Sequence, residues 1–313
     1  MGAQLTNQVL SLTTEHYVKK MEDNVFSSKP FLWGLKQAGK INNYHGTTIE
    51  VPLMYAKVAN RGSYSGTDVF ATAAETGIGN ASFDWKQYYA LVSFTGIELA
   101  KNSGQQAVLS LLKARLEQAE MTVAEELDQM LLGDGTGNSN KDWDGLLKFV
   151  GTAAGTVGGI DASTNTWWQS NVNASAVADA GLIAAMRTRY NIASEGNDHP
   201  SNVLTTRAAF EVYEGQIQAN QRFLDNKMAD AGFENLMFKA APITYDTYVA
   251  AGDMYFINLK YIDLAKLNDV WFKVSDFLQP TNQDVQFKHI KSYGNLVISN
   301  RKRQAALTSI TNG

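Results

Sequence analysis

A chain of 313 residues that is 44% apolar and 19% charged, with only 5 prolines, can bury a large core in one unit or in two lobes, and this composition excludes extended disorder. A net charge of −4 supplies no basic face for wrapping nucleic acid, and the absence of cysteine excludes disulfides, thiolate metal sites and cysteine nucleophiles, which suits assembly in a reducing cytoplasm. No run of 18 apolar residues is present to form a membrane helix, and residues 1–8 lack the charged and apolar halves of an export signal, so neither is expected.

Residues 1–45 mix short apolar steps with polar breaks, and 26–39 concentrates bulky apolar residues beside turn formers. This predicts an arm with an adhesive patch, in which Pro30-Phe31-Leu32-Trp33 either joins the core or docks on a neighbour. Apolar residues then alternate at Ile49, Val51, Leu53 and Tyr55, the period of a strand, and Pro52 restricts that strand to an edge. Phe83, Trp85, Tyr89, Val92 and Phe94 predict a second strand over 81–95. The small and polar stretch 62–80 between them is too long for a structureless loop inside a compact body. It fits a hairpin that leaves the body and rests on another molecule.

From 104 to 132, Val108, Leu111, Leu112, Leu116, Ala119, Val123, Leu127, Met130 and Leu131 recur at spacings of three and four, one apolar stripe on a long helix. Ser103 is the candidate cap, and Gly133-Asp134-Gly135 ends it. The middle, about 142–265, alternates helical and strand-like segments. Asn173 is a candidate cap for a helix through Tyr190, a second helix follows Thr206, and strands are predicted at 203–205, 241–245 and 254–257. Strands also close the chain at 271–274, 285–290 and 295–298, with Lys288 and Lys291 marking a wet face. The mixture is α+β and not a regular parallel fold.

Candidate chemistry is sparse. The glycines of 133–138 suggest a phosphate cradle, but the spacing of a phosphate-binding loop is absent and they follow a helix, whose dipole at that end repels phosphate. Asn140-Lys141-Asp142-Trp143-Asp144-Gly145 matches half of a calcium loop, yet the closing twelfth position is Gly151 where a bidentate Glu is needed, so a solvated turn is expected. His16, His45, His199 and His289 lie in separate segments, and the nearest approach to a nucleophile elbow, Gly62-Ser63-Tyr64-Ser65-Gly66, has tyrosine at its centre. Glu125-Glu126 and Arg301-Lys302-Arg303 read as charged faces, the latter able to pair with a neighbour's carboxylates. No catalytic residue, cofactor or metal site is expected.

Several local sequences stand out: Ile49-Glu50-Val51-Pro52-Leu53, Tyr64-Ser65-Gly66-Thr67-Asp68, Leu131-Leu132-Gly133-Asp134-Gly135-Thr136-Gly137-Asn138, Gly158-Gly159-Ile160, Trp167-Trp168, Met254-Tyr255-Phe256-Ile257-Asn258, and the closing segment from Gly294 to Gln304. In them the chain resembles tailed-bacteriophage major capsid proteins of the Hong Kong 97-like fold. The residues alone reach only an α+β protein with limbs suited to neighbours; the resemblance supplies the shell. It implies an N-terminal arm at 1–45, an extended β-hairpin loop at 46–95, a spine helix and peripheral domain at 96–140, an axial domain at 141–265 and a return to the peripheral domain at 266–313. Hexamers and pentamers of the chain would enclose double-stranded DNA, without sequence-specific binding, in a virion assembled in the host cytoplasm and free of membrane. A scaffolding protein, a portal and a decoration protein are the further candidate partners, and the lack of a long leading segment points to a separate scaffold.

Phe31, Trp33, Arg61, Tyr64, Asp68, Phe70, Arg301 and Arg303 are the candidate inter-subunit contacts under this resemblance. Some members of the family cross-link a loop lysine to a neighbour's asparagine; no lysine occurs between Lys57 and Lys86, so none is expected here. The rival readings are an encapsulin-like compartment around protein cargo, a tail or baseplate protein, and a nucleotide- or metal-dependent enzyme using the 133–145 loop.

Overall fold

The long helix, Gln105–Leu132, is the axis on which the other elements are laid. Its 28 residues give a rod of about 42 Å. Leu116, Ala119, Val123, Leu127 and Leu131 form its buried stripe, as the spacing predicts. The computed structural model describes residues 24–70, 72–73, 76–101, 105–173, 175–217 and 224–311. The proposed cap Ser103 lies outside them.

One sheet is built around a single 14-residue strand, Val285–Ile298. Lys86–Thr95 pairs antiparallel along its first ten positions, from Thr95 opposite Val285 to Lys86 opposite Gly294. On its other flank lie Lys273–Val274 and Ile262–Lys266, the latter paired from Gly294 to Ile298 and carrying Ile41–Asn43 in parallel on its outer side. The two strands expected at 285–290 and 295–298 are thus one. Gly294 does not break it, because the missing side chain is where Ala265 O and the Trp143 ring approach; a Cβ there would sit 2.6 Å and 3.0 Å from them. The single strand expected at 81–95 is instead two, Ile78–Phe83 and Lys86–Thr95, separated at Asp84-Trp85 and paired in different sheets. The expected strand at 271–274 shrinks to Lys273–Val274, since Phe272 takes a left-handed φ of 47°. Lys288 is also corrected: it is buried, its ammonium 4.4 Å from the centre of the Phe277 ring, where cation–π attraction replaces part of the lost hydration.

The second sheet runs in the order Leu236–Phe238, Ala241–Tyr245, Asn202–Thr205, Met254–Ile257, Ala305–Leu307, Asn171–Val172. Both of its faces are covered, which is why its strands read as unbroken apolar runs. Along Met254–Ile257, Met254 and Phe256 face the helices Leu182–Ala193 and Arg207–Gln216, while Tyr255 and Ile257 join the core shared with the long helix. Thr206 caps the second of these helices, its hydroxyl accepting the Ala209 N–H at 3.4 Å. Asn173 caps nothing. The first helix starts only at Leu182, and the Asn173 side chain accepts the Thr308 N–H at 2.6 Å and donates to Thr308 O at 2.8 Å. The chain end follows the same pattern: Ala305–Leu307 and Ile310–Thr311, within the segment expected to return to the peripheral domain, pair with Met254–Ile257 and Val177–Ala178.

Candidate inter-subunit surface

Ile49–Met54 and Ile78–Phe83 form an antiparallel hairpin stem in the register Ile49 opposite Phe83 through Met54 opposite Ile78. Its alternation divides the stem into an inner face of Ile49, Val51, Leu53, Ala81 and Phe83, all buried, and an outer face carrying Glu50, Pro52 and Met54. The inner face is seated on the segment 156–168. Ser82 N–H donates to Gly158 O at 2.9 Å, the Tyr55 ring stacks on Trp167 at 4.7 Å, and Trp168 Nε1 donates to Val157 O at 3.0 Å. Gly158 adopts a left-handed φ of 58° with its Cα against the stem, where a Cβ would lie 2.8 Å from the Ala81 Cβ. The root of the hairpin is therefore fixed by packing.

Beyond the root the loop holds its own shape but buries little. Asn60 Nδ2 donates to Ala73 O at 2.8 Å, Arg61 Nη1 to Val58 O at 2.7 Å, and the Asp68 carboxylate accepts the Ser65 N–H at 2.7 Å. Tyr64 and Phe70 meet edge to face at 5.0 Å. Sequence reasoning places Arg61, Tyr64, Asp68 and Phe70 together on this loop, and the structure does so. It adds residues that reasoning missed: Val69, 97% exposed, and the cross-strand pair Met54 and Ile78, of which Met54 is 82% exposed. Met54 was legible, because it shares the parity of Glu50 and Pro52; Val69 carries no such signal. Exposed apolar residues are thus gathered on one limb of the chain.

The remaining candidates are turned inward. Phe31 is buried in the core of its own chain, and Trp33 is half-buried with its ring 5.9 Å from Phe233. Arg301 is fully buried: Nε donates to Phe149 O at 3.0 Å and Nη2 to Thr152 O at 2.6 Å, closing the carbonyl end of the short helix Leu146–Phe149. Phe31 and Arg301 are thus corrected from contact residues to internal ones. Arg303 is engaged within the chain by Glu195, and by Asp198 at 3.9 Å.

The expected solvated turn after the long helix is found in part: residues 136–141 are exposed, but Trp143 and Asp144 are buried and form a packed corner. Asp144 is committed to Lys148 at 2.5 Å and to the Asn295 side chain at 3.0 Å, which removes one of the three oxygen ligands of the calcium reading. The Thr136 backbone N–H and hydroxyl hold Asp134 below the usual carboxylate range. Asn138, Ser139 and Asn140 are all left-handed, which turns the chain sharply after the glycines. Among the described residues no cluster of three His, Asp or Glu side chains could hold a metal ion, and His16 lies outside those residues. Between the long helix and the strand Lys86–Thr95 runs an open groove of about 550 Å³, lined by Tyr89, Leu91, Arg115, Glu126 and Met130. Burial and the adjoining Glu126 carboxylate push the Tyr88 phenol up at its edge.

No protein-family model matches the sequence, and no curated protein does. Solved structures do match over most of the chain. A chain of the cyanophage A-1(L) capsid asymmetric unit superposes with a TM-score of 0.65 at 17% identity, covering 87% of this chain and 90% of that one. A chain of the capsid of a native GTA particle superposes at 0.57 with 12% identity, covering 88% and 90%. The capsid of Myoviridae phage XM1 gives 0.56 at 12% identity, covering 88% and 92%. The chain is mixed α+β and has the Hong Kong 97-like fold of these phage and GTA capsid chains.

Proposed function

We propose that the chain is the structural subunit of a tailed-phage-type head, associating with copies of itself as hexamers and pentamers in a closed icosahedral shell around double-stranded DNA. The observation that carries this reading is the hairpin. Its root is locked to the body through Gly158 and Trp167, while its outer part presents Met54, Tyr64, Val69, Phe70 and Ile78 to the outside. Each chain that lays this surface on the next buries apolar area and exposes its own counterpart, a head-to-tail contact that closes only through rotational symmetry. The likeness to capsid chains supports the same reading, as does the net charge of −4, since a container needs no basic sequence-reading face. The chain performs no chemistry in this role; portal, scaffold and decoration proteins would act as its partners in the particle.

Electron microscopy of the expressed chain tests the reading. Closed shells of uniform size, with pentameric and hexameric clusters, are expected. Tubes, flat rings or a persistent monomer at high concentration would overturn it, and shells filled with a protein cargo in place of nuclease-protected DNA would assign the fold to an encapsulin-like compartment.

A further inference from the structure

Where the long helix meets the arm and the second sheet, two carboxyl groups and one ammonium are enclosed together. Asp128, on the helix, is fully buried. Asp246, just past the strand Ala241–Tyr245, is 5% exposed and faces it. Lys29, from the arm, reaches Asp128 Oδ2 at 3.5 Å and lies 5.3 Å from the centre of the Tyr248 ring. Around them, Tyr248 N–H donates to Asp246 Oδ1 at 3.2 Å, and the Tyr248 hydroxyl is bonded to Glu125 of the helix. Among the described residues, the charged and titratable groups acting on Asp128 are Asp246 and Tyr248 from the 246–248 turn and Lys29 from the arm, with Glu125 of the helix behind Tyr248.

Charge balance decides the state of this cluster. Two carboxylates against one ammonium leave a net negative charge away from water, which is costly, and neither Asp128 oxygen accepts a conventional hydrogen bond from a protein donor. One proton held by Asp128 and donated to Asp246 removes both difficulties. We propose that this shared proton is a latch: it fastens the 246–248 turn and Lys29 to the long helix, and its loss loosens the seam where the three segments meet. Burial first, then the Asp246 carboxylate, push Asp128 up to about 8 from 3.8, with Lys29 opposing. The folded seam therefore takes up a proton between about pH 4 and pH 8. Its contribution is full below that window, declines as pH rises through it, and is gone above about 8.

The test is hydrogen exchange of the full chain, corrected for intrinsic rates, between pH 6 and 9, read on peptides covering 24–32 and 244–250. In the native chain protection there should fall up to about tenfold per pH unit until about pH 8 and then level off. Asp128→Asn keeps the size and an N–H donor for Asp246 but cannot titrate, and should remove the slope. Protection that is independent of pH in the native chain, or that falls equally in Asp128→Asn, overturns the latch. Should that variant fail to fold, the native profile still decides, because a flat profile refutes the latch, and Asp246→Asn, which removes the second cause but not the burial, must move the levelling-off to lower pH; a levelling-off that stays in place overturns the shared proton.

Discussion

Asn295 grips Asp144 from two sides: its carboxamide oxygen accepts the Asp144 backbone N–H at 2.8 Å, and its amide nitrogen donates to Asp144 Oδ2 at 3.0 Å. The same nitrogen donates to Asp84 O at 2.9 Å. One fully buried side chain on the long strand thus joins the break between hairpin stem and body to the corner that follows the long helix. Asn295→Ala leaves a buried N–H and a buried carbonyl without partners, at a cost of about 3 kcal/mol. Scanning calorimetry should show Tm falling by roughly 6–12 °C. Asn295→Asp should recover none of this, since a carboxylate there cannot donate to Asp84 O and is set against Asp144. An aspartate variant as stable as the native chain would refute the role assigned to the carboxamide.

Two adjacent glycines separate backbone strain from steric exclusion. Gly158 and Gly159 are both left-handed, with φ of 58° and 75°, but a Cβ on Gly158 would press on Ala81 and Phe83 while one on Gly159 meets nothing within 4 Å. Gly159→Ala should cost only the conformational penalty, about 1 kcal/mol. Gly158→Ala adds overpacking of about 1–3 kcal/mol and should lift the hairpin root, unstacking Tyr55 from Trp167. Denaturant midpoints and tryptophan emission of the two variants are the comparison. Equal losses would mean that the stem does not depend on close approach at Gly158.

What the sequence reveals here follows the range of the forces involved. Met254–Ile257 and Ala241–Tyr245 were legible as unbroken apolar runs, and the stripe of the long helix because its burial repeats at a local period. Asn173 and Arg301 were not, because their roles depend on carbonyls and N–H groups that only folding brings near: Thr308 lies 135 residues from Asn173, and Phe149 lies 152 from Arg301. A basic triplet and a polar residue before an apolar run look the same whether they face water or a distant backbone. The hairpin tip was legible for the opposite reason, since Tyr64 and Phe70 meet only a near neighbour in sequence, each other, and stay largely exposed. The break at Asp84-Trp85 was hidden because both flanking strands keep the same apolar alternation, and only their different partners divide them.

Lysine placement gives a chemical prediction under the proposed role. Between Lys57 and Lys86 the hairpin offers no amine for an isopeptide bond to a neighbouring carboxamide. Purified particles boiled in detergent should therefore run as single chains. A ladder of multimers would show a covalent link made elsewhere in the chain.

The hairpin surface should matter to association and not to folding. Tyr64 and Phe70 touch each other and are otherwise exposed, so serine at both positions removes few contacts within the chain and should change its stability by no more than about 0.5 kcal/mol. If the same rings are buried on a neighbour, each contributes about 1.5–3 kcal/mol to that contact. Losing both then raises the concentration needed for assembly by at least about a hundredfold, since 1.4 kcal/mol is a factor of ten. Light scattering across a dilution series measures this directly, with Glu50→Gln on the outer face of the stem as a control that removes no apolar area. A double serine variant that assembles at the native concentration would show that the tip does not bear on a second copy, and the apolar outer pair Met54 and Ile78 would become the next surface to test.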